Sequence, residues 1–348
     1  MNTMDFTQIN VQSLITHHIG NKLREENIQL STETTKIQDD TLEYLLKYFL
    51  LPFKPVEFFS FFHSVKLELN EVYSMANAVF SKQIDFITAS ENLARLLYEY
   101  SLHPNIHEGK LNIARFSNIT LRDELVDAIG IFKSETDLPF LKMTGGKSSF
   151  SIEHEFGFDL KGMDKGCLIF NVNQSTGYEV LVVDNTNRSS EAKYWIDDFL
   201  QVKPCSDEYY HTKEFLNLTK NYLTNQMDQE FEISKPDKID LLNRSVDYFK
   251  ENQQFDKNEF EDKIFQDPQV IHSFRKYDET FRQENDLELS DRFDISAQAV
   301  KKQSRIFKSV LKLDKNFHVY IHGDRNLIEQ GTENDGRKFY KIYYDKEA

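Results

Sequence analysis

The sequence predicts an α+β protein: N-terminal helices with an antiparallel β meander, followed by a helical segment and a C-terminal antiparallel β-hairpin sheet. Apolar residues step at helical intervals over residues 42–100 and again over 212–281, while short alternating or continuous apolar runs occupy the stretches between and after. The runs between residues 109 and 184 follow one another too closely for crossover helices, so neighbouring strands must be antiparallel. The 29 Phe and 16 Tyr also supply large core side chains despite a mean hydropathy of −0.57, which sets the chain apart from disordered polar sequences. A chain of 348 residues can bury two cores. The changes of period suggest an α+β domain with the meander at 1–203 and a helical segment plus basic β-hairpin sheet at 204–348, with Pro204 at the boundary.

Taken in order, residues 9–19 are β-branched enough for a strand, closed by Gly20-Asn21. Asp39-Asp40 offer an N-cap to a helix carrying Leu42, Leu45, Leu46, Phe49 and Leu50 on one stripe, stopped by Pro52 and Pro55. The aromatic run 57–65 fits a short buried strand. Asn70 caps a helix to about Phe80, and a second helix spans about 83–100 before Pro104. Strands are expected at 111–116, 125–132, 139–143, 149–154, 166–172 and 177–184, forming a meander. A polar break at 185–190 precedes a short helix at 191–200 with the sole tryptophan, Trp195. Helices then return at 212–227 and at 237–250 behind Pro236, the latter with Ile239, Leu242, Val246 and Phe249 as its buried stripe. Another begins at Asp267-Pro268, with Val270, Phe274, Tyr277 and Phe281 facing inward.

Composition removes several function classes. The net charge of −15 argues against coating DNA by charge alone, because sequence-independent binding comes mostly from phosphate neutralisation by Lys and Arg, so any DNA contact must be local. No apolar run approaches the roughly 18 residues of a membrane span, and residues 1–12 lack a signal-peptide pattern, so a cytoplasmic protein is expected. Two cysteines, Cys167 and Cys205, are too few for a disulfide framework and read as free thiols.

Catalytic and metal motifs are largely missing. There is no HExxH, GxSxG or glycine-rich dinucleotide turn, and Gly145-Gly146-Lys147-Ser148 has Leu141 where a phosphate-binding loop needs its first glycine. His17 and His18 should point to opposite faces of a strand, and His103 and His107 flank Pro104 in a loop. Asp159-Leu160-Lys161, with Glu153 and Glu155 upstream, is the one arrangement resembling the acid-and-lysine metal site of restriction-like nucleases. Asp127 and Asp184 could be metal ligands if they meet. The competing expectation is a local hydrogen bond for one and an Asx turn with Thr186 or Asn187 for the other.

The strongest local signal is electrostatic. Between residues 300 and 315 lie six bases, Lys301, Lys302, Arg305, Lys308, Lys312 and Lys315, against one acid, Asp314: a local +5 in an acidic chain. Residues 251–294, just upstream, hold 13 acids and six bases, a net −7. Ser296 can cap a short helix that gathers Lys301, Lys302 and Arg305 near its C-terminal end. The period then becomes two. Phe307, Leu311 and Leu313 fall on one side and Lys308, Val310 and Lys312 on the other; on the returning strand Phe317, Val319 and Ile321 alternate with His318, Tyr320 and His322. A turn at Asp314-Lys315-Asn316, with Asn316 left-handed, pairs Leu313 with Phe317, Leu311 with Val319, Lys312 with His318 and Lys308 with His322. One face is then core, and the other offers cations plus Tyr320 to a nucleic acid. The same pattern describes the solvent face of an ordinary sheet. Strands near 327–330 and 337–344 should extend this sheet and bring three more bases.

The segments HHIGNK (17–22), LKYFLLPFK (46–54), LELNEVY (67–73), DAIGIFKSE (127–135), DKGCLIFN (164–171) and VVDNTN (182–187), with the basic hairpin, together resemble one family. It is the bacterial nucleoid-associated proteins of the NdpA/YejK type, in a form similar to Bacteroidetes members. The resemblance runs in order over nearly the whole chain. It implies a cytoplasmic, nucleoid-located, DNA-associated protein with no established catalytic motif, from a family often acidic overall. The expectation is a non-enzymatic protein that contacts double-stranded DNA backbone through Lys301, Lys302, Arg305, Lys308, Lys312, Lys315, His318 and Tyr320, with no cofactor, no metal and no membrane. DNA-processing proteins and a second copy of the chain remain open as partners. The alternatives are an acidic adaptor recruited to DNA-processing enzymes, or a metal-dependent nuclease.

Overall fold

The structure, a computed structural model, describes residues 4–135, 137–146, 149–160, 162–186, 194–305, 307, 310–321 and 327–346. Its two compact units are Met1–Cys205 and Ser206–Ala348. The first contains, in order, β1 (Met4–Asp5), β2 (Asn10–Ile19), α1 (Asp39–Leu50), β3 (Phe59–Phe61), α2 (Glu71–Phe80), α3 (Phe86–Tyr100), β4 (Gly109–Leu121), β5 (Glu124–Ser134), β6 (Leu138–Gly145), β7 (Phe150–Gly157), β8 (Lys165–Phe170), β9 (Glu179–Asp184) and β10 (Val202–Pro204).

An eight-stranded antiparallel sheet organises this unit in the order β1-β4-β5-β8-β9-β3-β10, with β2 also paired to β4. Both of its faces are covered. Alternate residues of β8 enter opposite cores: Cys167 and Ile169 pack with residues of α2 and α3, Leu168 and Phe170 with residues of α1. A sheet buried on both sides needs apolar residues at successive positions, which is why β5 and β8 read as continuous runs. Gly177 (φ +99°) allows the close approach of β3, since a Cβ there would lie 2.4 Å from the Phe61 carbonyl oxygen.

Helix starts follow side-chain caps. Asn70 accepts from the Tyr73 amide at 2.9 Å, and its own amide donates to the Leu200 carbonyl at 2.9 Å, so one side chain both opens α2 and ties it to the far end of the unit. Asp85 accepts from the Thr88 amide at 2.9 Å and the Thr88 hydroxyl at 2.6 Å, which starts α3 at Phe86 rather than at residue 83. Gln38, not Asp39 or Asp40, occupies the N-cap of α1; the two acids fall inside the first turn, where they suit the helix dipole.

The expected six-run meander is realised by β4, β5, β8 and β9. Strands β6 and β7 instead form a separate two-stranded ribbon. Lys142, Glu153 and Glu155 break one of their faces, so they lack the two apolar faces that the centre of this sheet demands. The helix expected at 191–200 begins outside the described residues; residues 196–200 form a single π turn in which Phe199 and Leu200 are buried, just after the buried Trp195.

The second unit contains α4 (Glu208–Asn221), which runs through a π turn into α5 (Met227–Glu230), then α6 (Lys235–Glu251), β11 (Gln254–Asp256), α7 (Lys257–Ile264), α8 (Pro268–Glu284), β12 (Arg292–Asp294), α9 (Ala297–Gln303), β13 (Val310–Leu313), β14 (Phe317–Tyr320), β15 (Ile328–Thr332) and β16 (Lys338–Ile342). Its core is aromatic: Phe215, Phe249, Phe255, Phe260 and Phe274 are buried around one another, with Phe215 and Phe260 edge-on at 5.4 Å. The expected stripes of α6 and α8 face this core or, for Ile239, a smaller cluster with Leu311, Ile321 and Ile328. Sequence reading missed α7 and the β11–β12 pair. Strands β15 and β16 pair only with each other and do not extend the β13–β14 sheet; the two ribbons meet through side chains instead, Ile328 and Tyr340 joining Leu311 and Ile321.

Candidate nucleic-acid interface

Helix α9 is short and capped as its sequence suggests: the Ser296 hydroxyl accepts from the Ala299 amide. Ala299, Val300 and Gln303 are buried, and Lys301 and Lys302 are left exposed in the last turn. The Lys302 ammonium lies 5.8 Å from the centre of the Tyr209 ring, a cation–π contact that holds it without neutralising it. Arg305, just past the helix, is exposed.

Strands β13 and β14 adopt the register read from the sequence, with Val310 opposite Tyr320, Leu311 opposite Val319, Lys312 opposite His318 and Leu313 opposite Phe317. Leu311 and Ile321 are buried, and the Asn243 side chain of α6 donates to the Ile321 carbonyl at 3.1 Å, so this side of the ribbon is fastened to α6. Lys312, His318 and Tyr320 share the opposite, exposed face, and Lys315 is exposed at the turn. Lys308 and His322 lie outside the described residues. Two details differ from expectation. The left-handed turn residue is Asp314 (φ 51°) rather than Asn316. Phe317 is 64% exposed, because it sits beside the turn, past the small cluster that covers Leu311 and Ile321.

What sets these cations apart is their clustering: six bases lie within residues 300–315 against the single acid Asp314. Among the described residues, Lys301, Lys302, Arg305, Lys312 and Lys315 have no carboxylate within 4.0 Å. In the acidic stretch upstream, by contrast, five of the six bases have a carboxylate partner. Arg275 is 2.7 Å from Glu261, Arg282 2.6 Å from Asp278, Arg292 2.7 Å from Asp256 and Lys263 2.6 Å from Glu259, while Lys257 is also bonded to the buried Asp278. The later bases are mostly paired too: Arg337 with Asp335 at 2.7 Å and Lys341 with Glu329 at 3.6 Å.

A second charged cluster, in the first unit, was missed by sequence reading. Lys133 and Lys165 face each other in the β5–β8 register and are both fully buried. The Lys133 ammonium donates to the His107 carbonyl at 2.8 Å, Glu135 at 2.9 Å and the Tyr194 hydroxyl at 3.1 Å. Lys165 donates to Asp184 at 2.8 Å and to the Thr186 hydroxyl, and Asp164 accepts from the Glu135 amide at 2.6 Å. Burial pushes the Lys133 ammonium down and the Tyr194 phenol well up from their ordinary pKa values. Three of the segments that carry the family resemblance, DAIGIFKSE, DKGCLIFN and VVDNTN, therefore meet at one point. Each ammonium already has a carboxylate, so the cluster acts chemically as a closed structural network. The available signal was a lysine directly abutting a continuous apolar run.

The remaining candidates stay apart. Asp184 makes the expected Asx turn, accepting from the Thr186 amide at 3.3 Å, and the Asp127 carbonyl accepts from the Asn171 amide at 2.9 Å. Lys161 of the Asp159-Leu160-Lys161 triplet and Lys147-Ser148 lie outside the described residues; Glu155 is 2.8 Å from Lys142. Among the described residues no group of three or more His, Cys, Asp or Glu is placed to hold a metal ion. His17 is buried, held 3.1 Å from Ser90 and accepting from the Ser31 amide, whereas His18 turns outward.

No curated protein matches the sequence. The sequence model of one family, described as nucleoid-associated protein YejK, matches residues 15–347, a span that takes in the buried lysine network, the acidic stretch and the cationic ribbon alike. With the match running through both units, the chain belongs to the YejK family of nucleoid-associated proteins.

Proposed function

We propose that the chain is a non-enzymatic, cytoplasmic protein of the nucleoid that grips duplex DNA by its phosphates through Lys301, Lys302, Arg305, Lys308, Lys312 and Lys315, with His318 and Tyr320 on the same ribbon. The observation that carries this reading is the lack of carboxylate partners for the described cations of the set, in a chain with 15 more acids than bases. Cations without a carboxylate partner can displace the counterions condensed on DNA phosphates and gain from their release, whereas paired ones must first break an ion pair. In this reading the domain at 204–348 contacts DNA, the domain at 1–203 serves assembly with a second copy, and Pro204 marks the boundary. The contacts are to backbone, so unrelated duplexes should bind comparably. Reversing Lys301, Lys302 and Lys312 to Glu should abolish a gel shift seen with the parent protein at low salt; an unchanged shift rejects the assignment.

The acidic excess of residues 251–294 favours a second reading, an adaptor that reaches the nucleoid through basic DNA-processing proteins. Purified protein that fails to shift DNA even at low salt would select it. Magnesium-dependent cleavage lost on Asp159→Ala would replace both readings by a nuclease.

A further inference from the structure

The β6–β7 ribbon exposes an apolar face that no described residue of its own unit covers. Cross-strand pairing places Pro139 opposite Phe156, Leu141 opposite His154, Met143 opposite Ile152 and Gly145 opposite Phe150, so these residues share one face. On it Leu141 is 70% exposed, Met143 68%, Phe150 79%, Ile152 64% and Phe156 63%. The other face pairs Phe140 with Glu155, Lys142 with Glu153 and Thr144 with Ser151, and its Lys142–Glu155 contact at 2.8 Å satisfies its own charge.

Isolated two-stranded ribbons are marginal in water, and contiguous apolar patches of this size mark interaction sites. We propose that this face is a homodimerisation surface, packed against the same face of a second copy. Its chemistry selects that occupant. DNA is disfavoured, because the described ribbon has Lys142 as its cation against Glu153 and Glu155. A strongly charged protein partner would find no countercharge on a face whose one titratable group is His154. A second copy, by contrast, presents an equally uncharged surface, so the contact is self-complementary as a two-fold interface requires. The size also fits. At roughly 150 Å² for each of the two phenylalanines and roughly 100 Å² for each of Leu141, Met143 and Ile152, one copy offers about 600 Å², and face-to-face burial removes about 1,200 Å², at the lower end of the ~1,200–2,000 Å² of stable interfaces.

This inference deepens the assembly role given above to the first unit, and it is tested without DNA so that its failure leaves the DNA assignment standing. The full chain is examined by analytical ultracentrifugation with the triple variant Leu141→Thr, Phe150→Ser, Ile152→Thr, which keeps strand-compatible residues on β6 and β7. The parent should sediment as a dimer at micromolar concentration and the variant as a monomer, its dissociation constant raised at least tenfold, while Phe140→Thr on the opposite face leaves the dimer intact. Independently of the triple variant's folding, Met143→Cys should form an intermolecular disulfide under mild oxidation and Thr144→Cys should not. A parent that is monomeric at about 100 µM, a dimer unaffected by the triple variant, or equal cross-linking at 143 and 144 would overturn the proposal.

Discussion

The β6–β7 and β13–β14 ribbons are both two-stranded, antiparallel and two-faced, yet opposite faces are left to solvent. In β13–β14 the apolar side is covered, with Leu311 at 1% and Ile321 at 7% exposure, and the outward side carries cations without carboxylate partners. In β6–β7 the charged side pairs within itself and the apolar side is bare. The difference teaches that a ribbon's binding chemistry is set by which face the unit consumes. A covered apolar face leaves a cationic face outward, the basis of the proposed DNA contact; an uncovered one leaves an apolar face, the basis of the proposed dimer contact.

That contrast can be tested by asking what each lysine and each leucine contributes. The largest expected effect is at Lys133, a cation spent inside the fold. Lys133→Met leaves Glu135 buried without its ammonium partner and should cost about 3–5 kcal/mol in the urea unfolding of the first unit, without a specific loss of DNA affinity. Next comes Leu311→Ala on the covered face, with an expected cost of about 3 kcal/mol to the second unit. Its counterpart Leu141→Ala, on the bare face, should change the stability of the monomer by no more than about 0.5 kcal/mol and act on self-association instead. Phe317→Ser, beside the turn and largely exposed, should be within the same small range. Equal costs at Leu311 and Leu141 would break the comparison.

Much of this contrast was legible in the sequence, but unevenly. Strict alternation and a short turn fixed the pairing of Lys312 with His318 and of Leu311 with Val319, because a one-residue slip would turn every apolar side chain outward. Asn70, Asp267 and Ser296 announced helix starts for the same local reason: a side-chain acceptor suits the free amides of a first turn. The fate of β6–β7 was not legible, since alternation states that one face is apolar and not which surface will cover it. Phe317 erred similarly, as period two assigns a face without saying where the core ends. Lys133 and Lys165 were passed over because a buried lysine is rare and the apolar runs beside them drew the reading. Glu135 stands only two residues from Lys133, whereas Asp184 reaches Lys165 across the β8–β9 pairing. Of the proposed interface residues, charge density singled out Lys301, Lys302, Arg305, Lys312 and Lys315; that among the described residues none of them pairs with a carboxylate, not even Lys315 with the adjacent Asp314, is a tertiary fact.

The central claim is that these unpaired cations meet DNA phosphates, and salt dependence addresses it most directly. Affinity for a duplex should be measured between about 50 and 200 mM salt for the parent and for a variant with Lys301, Lys302, Lys312 and Lys315 changed to Ala. The account predicts a slope of log affinity against log salt shallower by about 4, roughly one per lysine, with affinity at the low-salt end reduced at least a hundredfold and the dimer unaltered. The same slope and affinity in both proteins would contradict it.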